Sequence, residues 1–241
     1  MNLMQMLRAL PDSGADGFRN EHKYICSAAE LGELKIRLAA LLMPDPHSGP
    51  DGQHRVRSLY WDTYDDRLVR ENEDGTSPRE KWRIRSYNLD RSYVALECKM
   101  HEGDRVRKEI CPISAALLDE ILQGRYPQIG RQNPPLLNRF LMLHYTQLLH
   151  PAVIVDYMRT PFLFPEGNVR VTFDCGIASG AEPACYWDPD TALRPVLPAG
   201  AELLEVKFDS FLPDSVFNAI QMRDMQRTSF SKYYLSRRYH L

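Results

Sequence analysis

The chain has 241 residues, of which 44% are hydrophobic and 26% are charged. This composition is ordinary for a globular protein, and the length allows a substantial buried core. The 30 basic and 32 acidic residues give a formal net charge of −2, which argues against a general nucleic-acid-binding surface, so any basic site must be local. Five cysteines without metal-binding spacing, no signal peptide and no run of roughly 18 apolar residues predict reduced thiols, a cytoplasmic location and no membrane insertion.

The N-terminal part of the sequence predicts a short lead followed by a strand and a helix. Residues 1–17 end in a turn-rich segment, and we expect residues 18–241 to form one domain. Residues 18–26 alternate as a strand with an ionic face. Ser27-Ala28-Ala29-Glu30 is a capping box that predicts the start of a leucine-rich helix ending before Pro44.

The strand predicted for residues 79–87 shows the strongest charge pattern. Alternation places three cations on one face, about 6–7 Å apart, namely Lys81, Arg83 and Arg85. Trp82 and Ile84 share the opposite face and would pack on other elements. A row of like charges occurs on the solvated side of an amphipathic strand, and it also suits a groove or barrel interior that holds a polyanion.

Similar ionic faces recur along the chain, which gives about eight strands in all. The other strands are predicted over residues 55–62, 92–100, 105–110, 152–160, 168–174 and 201–208, with a hairpin turn at 101–104. Helices are predicted within residues 62–72, 114–123, 135–150 and 213–225. These elements predict an α+β protein, built either as an open sheet with one wet face or as a closed barrel with a charged lumen and external helices.

A glutamate stands two residues before a lysine in three of these strands. The pairs are Glu21 and Lys23, Glu97 and Lys99, and Glu205 and Lys207. Lysine and arginine bind phosphate, and carboxylates bind a hard divalent ion that bridges phosphate oxygens. The sequence contains no GxxxxGK[ST], GxGxxG, GxSxG or HExxH motif. The pattern therefore favours phosphoryl chemistry by positioning and charge neutralisation.

Several segments, in matching order from residue 18 to the C-terminus, resemble the VTC domain. They are Glu21-His22-Lys23-Tyr24, Arg55-Val56-Arg57-Ser58-Leu59-Tyr60-Trp61-Asp62-Thr63, Glu80-Lys81-Trp82-Arg83-Ile84-Arg85, Leu96-Glu97-Cys98-Lys99, Leu204-Glu205-Val206-Lys207 and Ser229-Phe230-Ser231-Lys232-Tyr233. This is the catalytic domain of the vacuolar transporter chaperone polyphosphate polymerase, in the triphosphate tunnel metalloenzyme superfamily. The resemblance implies an eight-stranded antiparallel β-barrel that forms a tunnel, with flanking helices.

The resemblance also implies roles for individual residues. Catalytic phosphate ligands would be Lys23, Lys81, Arg83, Arg85, Lys99 and Lys232. Further substrate contacts are expected from Arg57, Arg70, Lys108, Arg159, Lys207 and Ser231. Mn²⁺ or Mg²⁺ would be held by Glu205, Glu21 and Glu97. The expected substrates are ATP or another triphosphate, and polyphosphate.

The sequence departs from the superfamily pattern at the first strand. Relatives such as adenylate cyclase domains begin with ExExK, whereas this chain has Arg19-Asn20-Glu21-His22-Lys23, so one metal ligand is missing. The eukaryotic polymerases also carry a phosphate-sensing domain and a membrane anchor, and a separate membrane partner is expected to supply those functions here. Three hypotheses follow: a polyphosphate polymerase, a tripolyphosphatase or nucleoside triphosphatase, and a non-catalytic polyphosphate-binding module.

The same hypotheses predict the effect of reversing charges on the central strand. Charge reversal at Arg83 or Arg85 is expected to abolish polyanion binding and to leave folding intact, because it relieves repulsion among the cations.

Overall fold

The computed structural model describes residues 18–103, 105–222 and 225–240, so the lead expected for residues 1–17 lies outside the described residues. Eight long strands dominate this part of the chain. They are β1 (Arg19–Ser27), β3 (His54–Asp62), β4 (Arg79–Tyr87), β5 (Val94–Glu102), β6 (Arg105–Ile113), β7 (His150–Phe164), β8 (Val169–Gly180) and β10 (Ala201–Phe208). Two short strands flank them, β2 (Met43–Pro44) and β9 (Arg194–Pro195).

The eight long strands close into an antiparallel barrel in the order β7-β3-β4-β5-β6-β1-β10-β8, with β8 pairing back to β7. Of the two architectures left open by the strand pattern, the closed barrel is therefore confirmed. Closure pairs the strands with one another all around the ring, and it gives the barrel separate inner and outer faces.

The seam between β1 and β6 is short. The two strands pair only at Arg19 with Val106 and at Asn20 with Arg105. Farther along the same edge of β1, Tyr24 forms a bridge with Arg227, and the Thr228 N–H donates to the carbonyl oxygen of Lys23 at 2.8 Å. The C-terminal segment therefore continues the barrel wall beside β1.

Helices in the described part of the chain pack against the barrel. They are α1 (Ala28–Ala39), α2 (Arg67–Glu73), α3 (Ala115–Leu122), α4 (Pro135–Gln147), α5 (Asp214–Ile220) and α6 (Lys232–Arg238). The capping box at the start of α1 is confirmed, because the Glu30 N–H donates to Ser27 Oγ at 3.2 Å and the Ser27 N–H donates to the Glu30 carboxylate at 2.7 Å.

The outward face of β4 packs against α4, as its alternation predicts. Trp82 and Ile84 are fully buried in the larger core, and the Trp82 ring lies 5.9 Å from the ring of Phe140 on α4. A second core lies beneath α1 and α5, where Leu34, Val206 and Val216 pack together. Burial of this apolar outer face leaves the ionic faces of the strands inside the barrel.

The structure corrects several predicted boundaries. The helix expected for residues 135–150 ends at Gln147, because Leu148 adopts a left-handed conformation with φ of 52° and His150 already begins β7. The helix expected for residues 213–225 covers only Asp214–Ile220, and residues 223 and 224 lie outside the described part.

The strands are also longer than the sequence pattern indicates. His101 and Glu102, expected in a turn, pair in β5 with Val106 and Arg105, while Asp104 is not described. Hydrogen bonding to neighbouring strands extends an element beyond its alternating residues, and such pairing is not visible in local sequence.

Phe140 provides a direct test of the barrel–helix contact. It is fully buried between the rings of Trp61 and Trp82, at 5.4 and 5.9 Å. We expect Phe140→Ala to lower the free energy of unfolding by about 3–5 kcal/mol, because it leaves a cavity between two indole rings. Urea unfolding would measure this loss, with Ile36→Ala as the control. Ile36 is 79% exposed, so its truncation should change stability by less than about 0.5 kcal/mol, and equal losses would contradict the assigned packing.

Candidate active site

The barrel lumen is lined by eight lysine and arginine side chains in the described part of the chain. They are Lys23, Lys81, Arg83, Arg85, Lys99, Arg159, Lys207 and Lys232. Tyr60, Tyr157, His101, Glu205 and Ser231 line the same space. Because the whole chain carries a net charge of −2, this local excess of positive charge results from the inward faces of the strands.

The three cations of β4 face the lumen but have different partners. Lys81 Nζ donates to Ser231 Oγ at 3.0 Å. Arg83 forms an ion pair with Glu97, with Nε–Oε2 and Nη2–Oε2 distances of 2.7 and 2.6 Å. Among the described residues, Arg85 has no carboxylate within ion-pair distance. Its guanidinium donates to the hydroxyls of Ser58 and Tyr157, at 3.0 and 3.1 Å.

The Glu97 ion pair contradicts the reason given for the charge-reversal prediction at Arg83, namely relief of repulsion among the cations. Glu97 is 2% exposed and depends on Arg83 for its closest charge compensation. A carboxylate at position 83 would face a buried carboxylate, which destabilises the fold instead of relieving repulsion.

Four buried carboxylates hold the lumen cations in place. Glu21 pairs with Lys23 and Lys99, each at 2.8 Å, and Glu205 pairs with Lys207 at 2.5 Å. Asp174 pairs with Arg159 and Lys232, at 2.6 and 2.7 Å, and Glu97 pairs with Arg83. Lys99 reaches Glu21 from β5, on the far side of β6, and Arg159 reaches Asp174 from the adjacent β7, so these ion pairs tie the barrel wall together across its strands.

These carboxylates remain ionised despite their burial. Burial raises the pKa of Glu21, but Lys23, Lys99 and Lys207 outweigh that effect and hold the pKa well below its usual value. For Glu205, burial and the nearby Glu21 raise the pKa, and Lys207 and Lys232 bring it well below its usual value. Both carboxylates are therefore charged at neutral pH.

The pKa values of Lys81 and Lys99 are lowered because these lysines are buried close to other positive charges. Burial lowers the pKa of Lys99 to about 7, with Lys23 adding to the decrease and Glu21 opposing it. Burial, followed by Lys23 and Lys99, lowers the pKa of Lys81 well below its usual value. An anion in the lumen would favour the charged form of both groups.

The structure places three further predicted phosphate ligands at the lumen or its wall. Lys108 faces inward from β6, 4.0 Å from Glu97. Ser231 caps α6 by accepting the Tyr234 N–H at 3.3 Å and lines the lumen, as does Lys232 at the first position of that helix. The lumen therefore brings together charged residues from the first strand, such as Lys23, and from the C-terminal segment, such as Lys232.

Arg57 and Arg70 lie away from this group. Arg57 points out of the barrel, where it is fully buried, bonded to Asp156 at 2.6 Å and to the carbonyl oxygens of Tyr186 and Asp188. Arg70 lies on the exposed α2 helix and pairs with Asp65 at 2.6 Å. On β3, Ser58 and Tyr60 face the lumen, so alternation turns Arg57 outward.

Sequence analysis missed Asp174 and Tyr157 as parts of the site. Asp174 is the last residue of the strand predicted over residues 168–174, but its role depends on its position opposite Arg159 in the β7–β8 register. Tyr157 accepts from Arg85, and its ring lies 5.0 Å from Lys232 Nζ. Both contacts join residues that are distant along the chain, so no local motif marks them.

The carboxylates differ in how well they suit a divalent cation. Across the described ranges, no three His, Cys, Asp or Glu side chains group as a complete metal site. Mg²⁺ needs only one or two carboxylates when water and substrate phosphates supply its other oxygens. Glu21 and Glu205 lie on adjacent strands, and the charge of Glu21 raises the pKa of Glu205, so the two carboxylates are close enough to fit this requirement. Glu97 does not join that pair, because it lies on β5, which pairs with neither β1 nor β10, and its partners are Arg83 and Lys108.

Protonation of Lys99 should accompany anion binding. At pH 8 a lysine with a pKa of about 7 is mostly neutral, and a bound polyanion raises that pKa, so binding takes up protons and weakens as pH rises above 7. Calorimetry with inorganic triphosphate in buffers of different ionisation enthalpy would measure the uptake. Lys99→Met should reduce it, whereas Lys35→Met, outside the lumen, should not. Binding heats independent of the buffer would contradict this prediction.

Comparisons with known proteins agree with the barrel geometry. A candidate adenylyl cyclase from Hippeastrum, described with a dominant triphosphatase activity, superimposes with a TM-score of 0.50 at 12% identity, over 92% of this chain and 95% of its own. A candidate adenylate cyclase from Bacillus halodurans gives a TM-score of 0.48 at 15% identity, over 85% and 88%. At such identities, the likeness concerns the fold alone.

Sequence comparisons identify the family. No curated protein sequence matches the chain significantly. In the described residues, no helix has the length and apolar character needed to span a membrane. The family model of the VTC domain matches residues 18–240, and the chain therefore belongs to the VTC domain family.

Proposed function

We propose that the lumen is a phosphoryl-transfer site in which ATP donates its γ-phosphoryl group to a growing polyphosphate chain. The observation that carries this proposal is the convergence of eight lysine and arginine side chains on one buried space in a chain of net negative charge. A polyphosphate chain offers anionic oxygens along its whole length. A ring of inward cations is complementary to such a ligand and to the triphosphate of a nucleotide.

The transfer needs no protein nucleophile. A terminal oxygen of the polyphosphate chain attacks the γ-phosphorus, the bond from that phosphorus to the β–γ bridging oxygen breaks, and ADP leaves. Ser231 is poorly placed to act as a nucleophile instead, because its hydroxyl oxygen already accepts hydrogen bonds from Lys81 and from the Tyr234 N–H. The protein's contribution is to align the two phosphate groups and neutralise the charge between them.

Arg85 and Lys81 are the groups best placed to contact phosphate first. Both face the lumen, and neither has a carboxylate within ion-pair distance in the part of the chain described. The paired cations, such as Lys99 and Lys232, would gain phosphate contacts in addition to their carboxylate partners. A bound polyanion would therefore neutralise the positive charge that the buried carboxylates leave uncompensated in the lumen.

Glu21 and Glu205 would hold Mg²⁺ or Mn²⁺, which supplies further charge neutralisation at the reacting phosphates. Their lysine partners hold both carboxylates ionised, the state that a metal ligand requires. Lys23 and Lys207 would have to share these oxygens with the metal or move toward phosphate. The missing first glutamate of ExExK is replaced by Arg19, which pairs with Asp209, so that position supplies no ligand.

A triphosphatase is the second candidate, because the Hippeastrum protein of the same fold is described with that activity. Water would then attack the terminal phosphorus, and the same cations would neutralise the leaving phosphates. A binding module that works with a membrane partner would use the lumen without turnover. The three candidates share the lumen and differ in what attacks the phosphorus.

The products formed from ATP distinguish the candidates. With ATP and Mn²⁺, we expect the purified protein to release ADP and to form a ladder of polyphosphate on a gel. Phosphate without polymer would identify the triphosphatase, and binding without turnover would identify the binding module. Glu205→Gln should abolish turnover and retain triphosphate binding. Glu202→Gln is the matched control, since it lies on the outward side of the same strand, where Glu202 accepts the Gly176 N–H.

Arg83 and Arg85 should respond differently to loss of charge. Arg85→Met removes hydrogen bonds to two hydroxyls, and we expect triphosphate affinity to fall at least about tenfold with little loss of stability, as for a charged hydrogen bond of about 1.5–3 kcal/mol. Arg83→Met leaves Glu97 without its main partner and should also cost about 3 kcal/mol in unfolding free energy. Calorimetry and urea unfolding separate the two effects, and a similar stability loss in both variants would contradict the assignment.

A further inference from the structure

A second cavity opens at one end of the lumen. Along β4, Arg79 and Lys81 border one mouth, Arg83 and Arg85 line the centre, and Tyr87 borders the opposite mouth. The cavity at the Tyr87 end has a volume of about 200 Å³. That is below the roughly 300–1,000 Å³ of a site for a whole drug-sized ligand, so it suits one ring system.

Aromatic rings form one side of this cavity, which we call the Tyr87 cavity. The ring of Tyr87 lies 6.0 Å from that of Tyr93 at an angle of 33°, and 5.4 Å from the imidazole of His54 at 79°. All three residues line the cavity. Aromatic faces on a cavity of this size are suited to stacking against a planar heterocycle.

Three buried polar atoms around the Tyr87 cavity lack a hydrogen-bond partner among the described residues. They are Nδ1 of His47, Nδ1 of His54 and Oγ1 of Thr172. Thr172 is only 1% exposed. Buried polar atoms are rarely left unpaired, and three around one space indicate a ligand that supplies donors and acceptors. Burial and Arg159 lower the pKa of His54 to about 4, so its neutral ring offers one donor and one acceptor nitrogen.

Charge determines which end of a ligand faces the lumen. Asp45 borders the Tyr87 cavity and is 5% exposed, held by the side chain of Arg170 at 3.2 Å and the N–H of His47 at 3.0 Å. Asp90 borders the same cavity. Two arginines, Arg159 and Arg170, balance these two carboxylates in the cavity lining, so the cavity attracts phosphate less strongly than the cationic centre, which Arg159 also lines. A ligand with a planar ring and a phosphate tail fits with its ring outward and its tail past Arg159.

We propose that the Tyr87 cavity binds the base of a nucleoside triphosphate whose phosphates enter the lumen beside Arg159. The inference rests on the proposed function for the phosphates, and on the rings and unpaired polar atoms for the base. It assigns the nucleotide to one mouth of the barrel. The opposite mouth, with Arg79 and Arg227 among its lining residues and a volume of about 660 Å³, is left for a polyanion.

Comparison of ATP with inorganic triphosphate tests the base site, because only ATP carries a ring. Tyr93→Ala should weaken ATP binding at least about fivefold, as expected for loss of one stacked aromatic side chain, and leave inorganic triphosphate binding unchanged. Tyr93→Phe should retain ATP affinity. Thr172→Val, which removes only the hydroxyl, should also weaken ATP binding selectively. Tyr64→Ala is the control, because Tyr64 is 78% exposed and lies outside the cavity.

Adenosine separates failure of the base site from failure of the proposed function. NMR titration with adenosine should show binding that Tyr93→Ala weakens, whether or not inorganic triphosphate binds. Unchanged ATP and adenosine affinities in both Tyr93→Ala and Thr172→Val, with both variants folded, would overturn the base site. If adenosine binds as expected but inorganic triphosphate does not bind the wild-type protein, the phosphate site fails while the base site stands.

Discussion

The structure depends on buried ion pairs that hold an excess of positive charge inside a closed barrel. Glu21, Glu97, Asp174 and Glu205 each neutralise one or more inward cations, and their own charge is stabilised by those cations. Burying all these cations without carboxylates would cost too much free energy for the barrel to fold. Pairing every cation with a carboxylate would leave no positive charge to attract an anionic ligand. The lumen lies between these limits, because Lys81 and Arg85 have hydroxyl partners where other cations have carboxylates.

Alternation of side chains along each strand links this site to the stability of the fold. On β4, the inward residues line the lumen while Trp82 and Ile84 fill the core beneath α4. A shift of one residue in register would place cations in the apolar core and indole in the lumen, so the register is strongly specified. The cationic lumen and the apolar surface that supports folding are thus two sides of one set of strands.

The C-terminal segment completes the lumen. It continues the wall beside β1 through the bridge of Tyr24 with Arg227 and the contact of Thr228 with Lys23. It then delivers Ser231 and Lys232 at the start of α6 to the centre of the lumen. The two mouths differ because different strand ends and loops surround them. The rings of His54, Tyr87 and Tyr93 line the smaller cavity at one end, and a larger cavity bordered by Arg79 and Lys81 opens at the other.

The sequence by itself determined the strands, their ionic faces and the inward set Lys81, Arg83 and Arg85, because the two-residue period of a strand is local. The VTC resemblance supplied the expectation of closure. Only the tertiary structure decided which cations have carboxylate partners, since Asp174 meets Arg159 through strand register. It also turned Arg57 outward onto Asp156 and gathered His54, Tyr87 and Thr172 around one cavity. Those outcomes depend on contacts between residues far apart in the chain, which no local pattern contains.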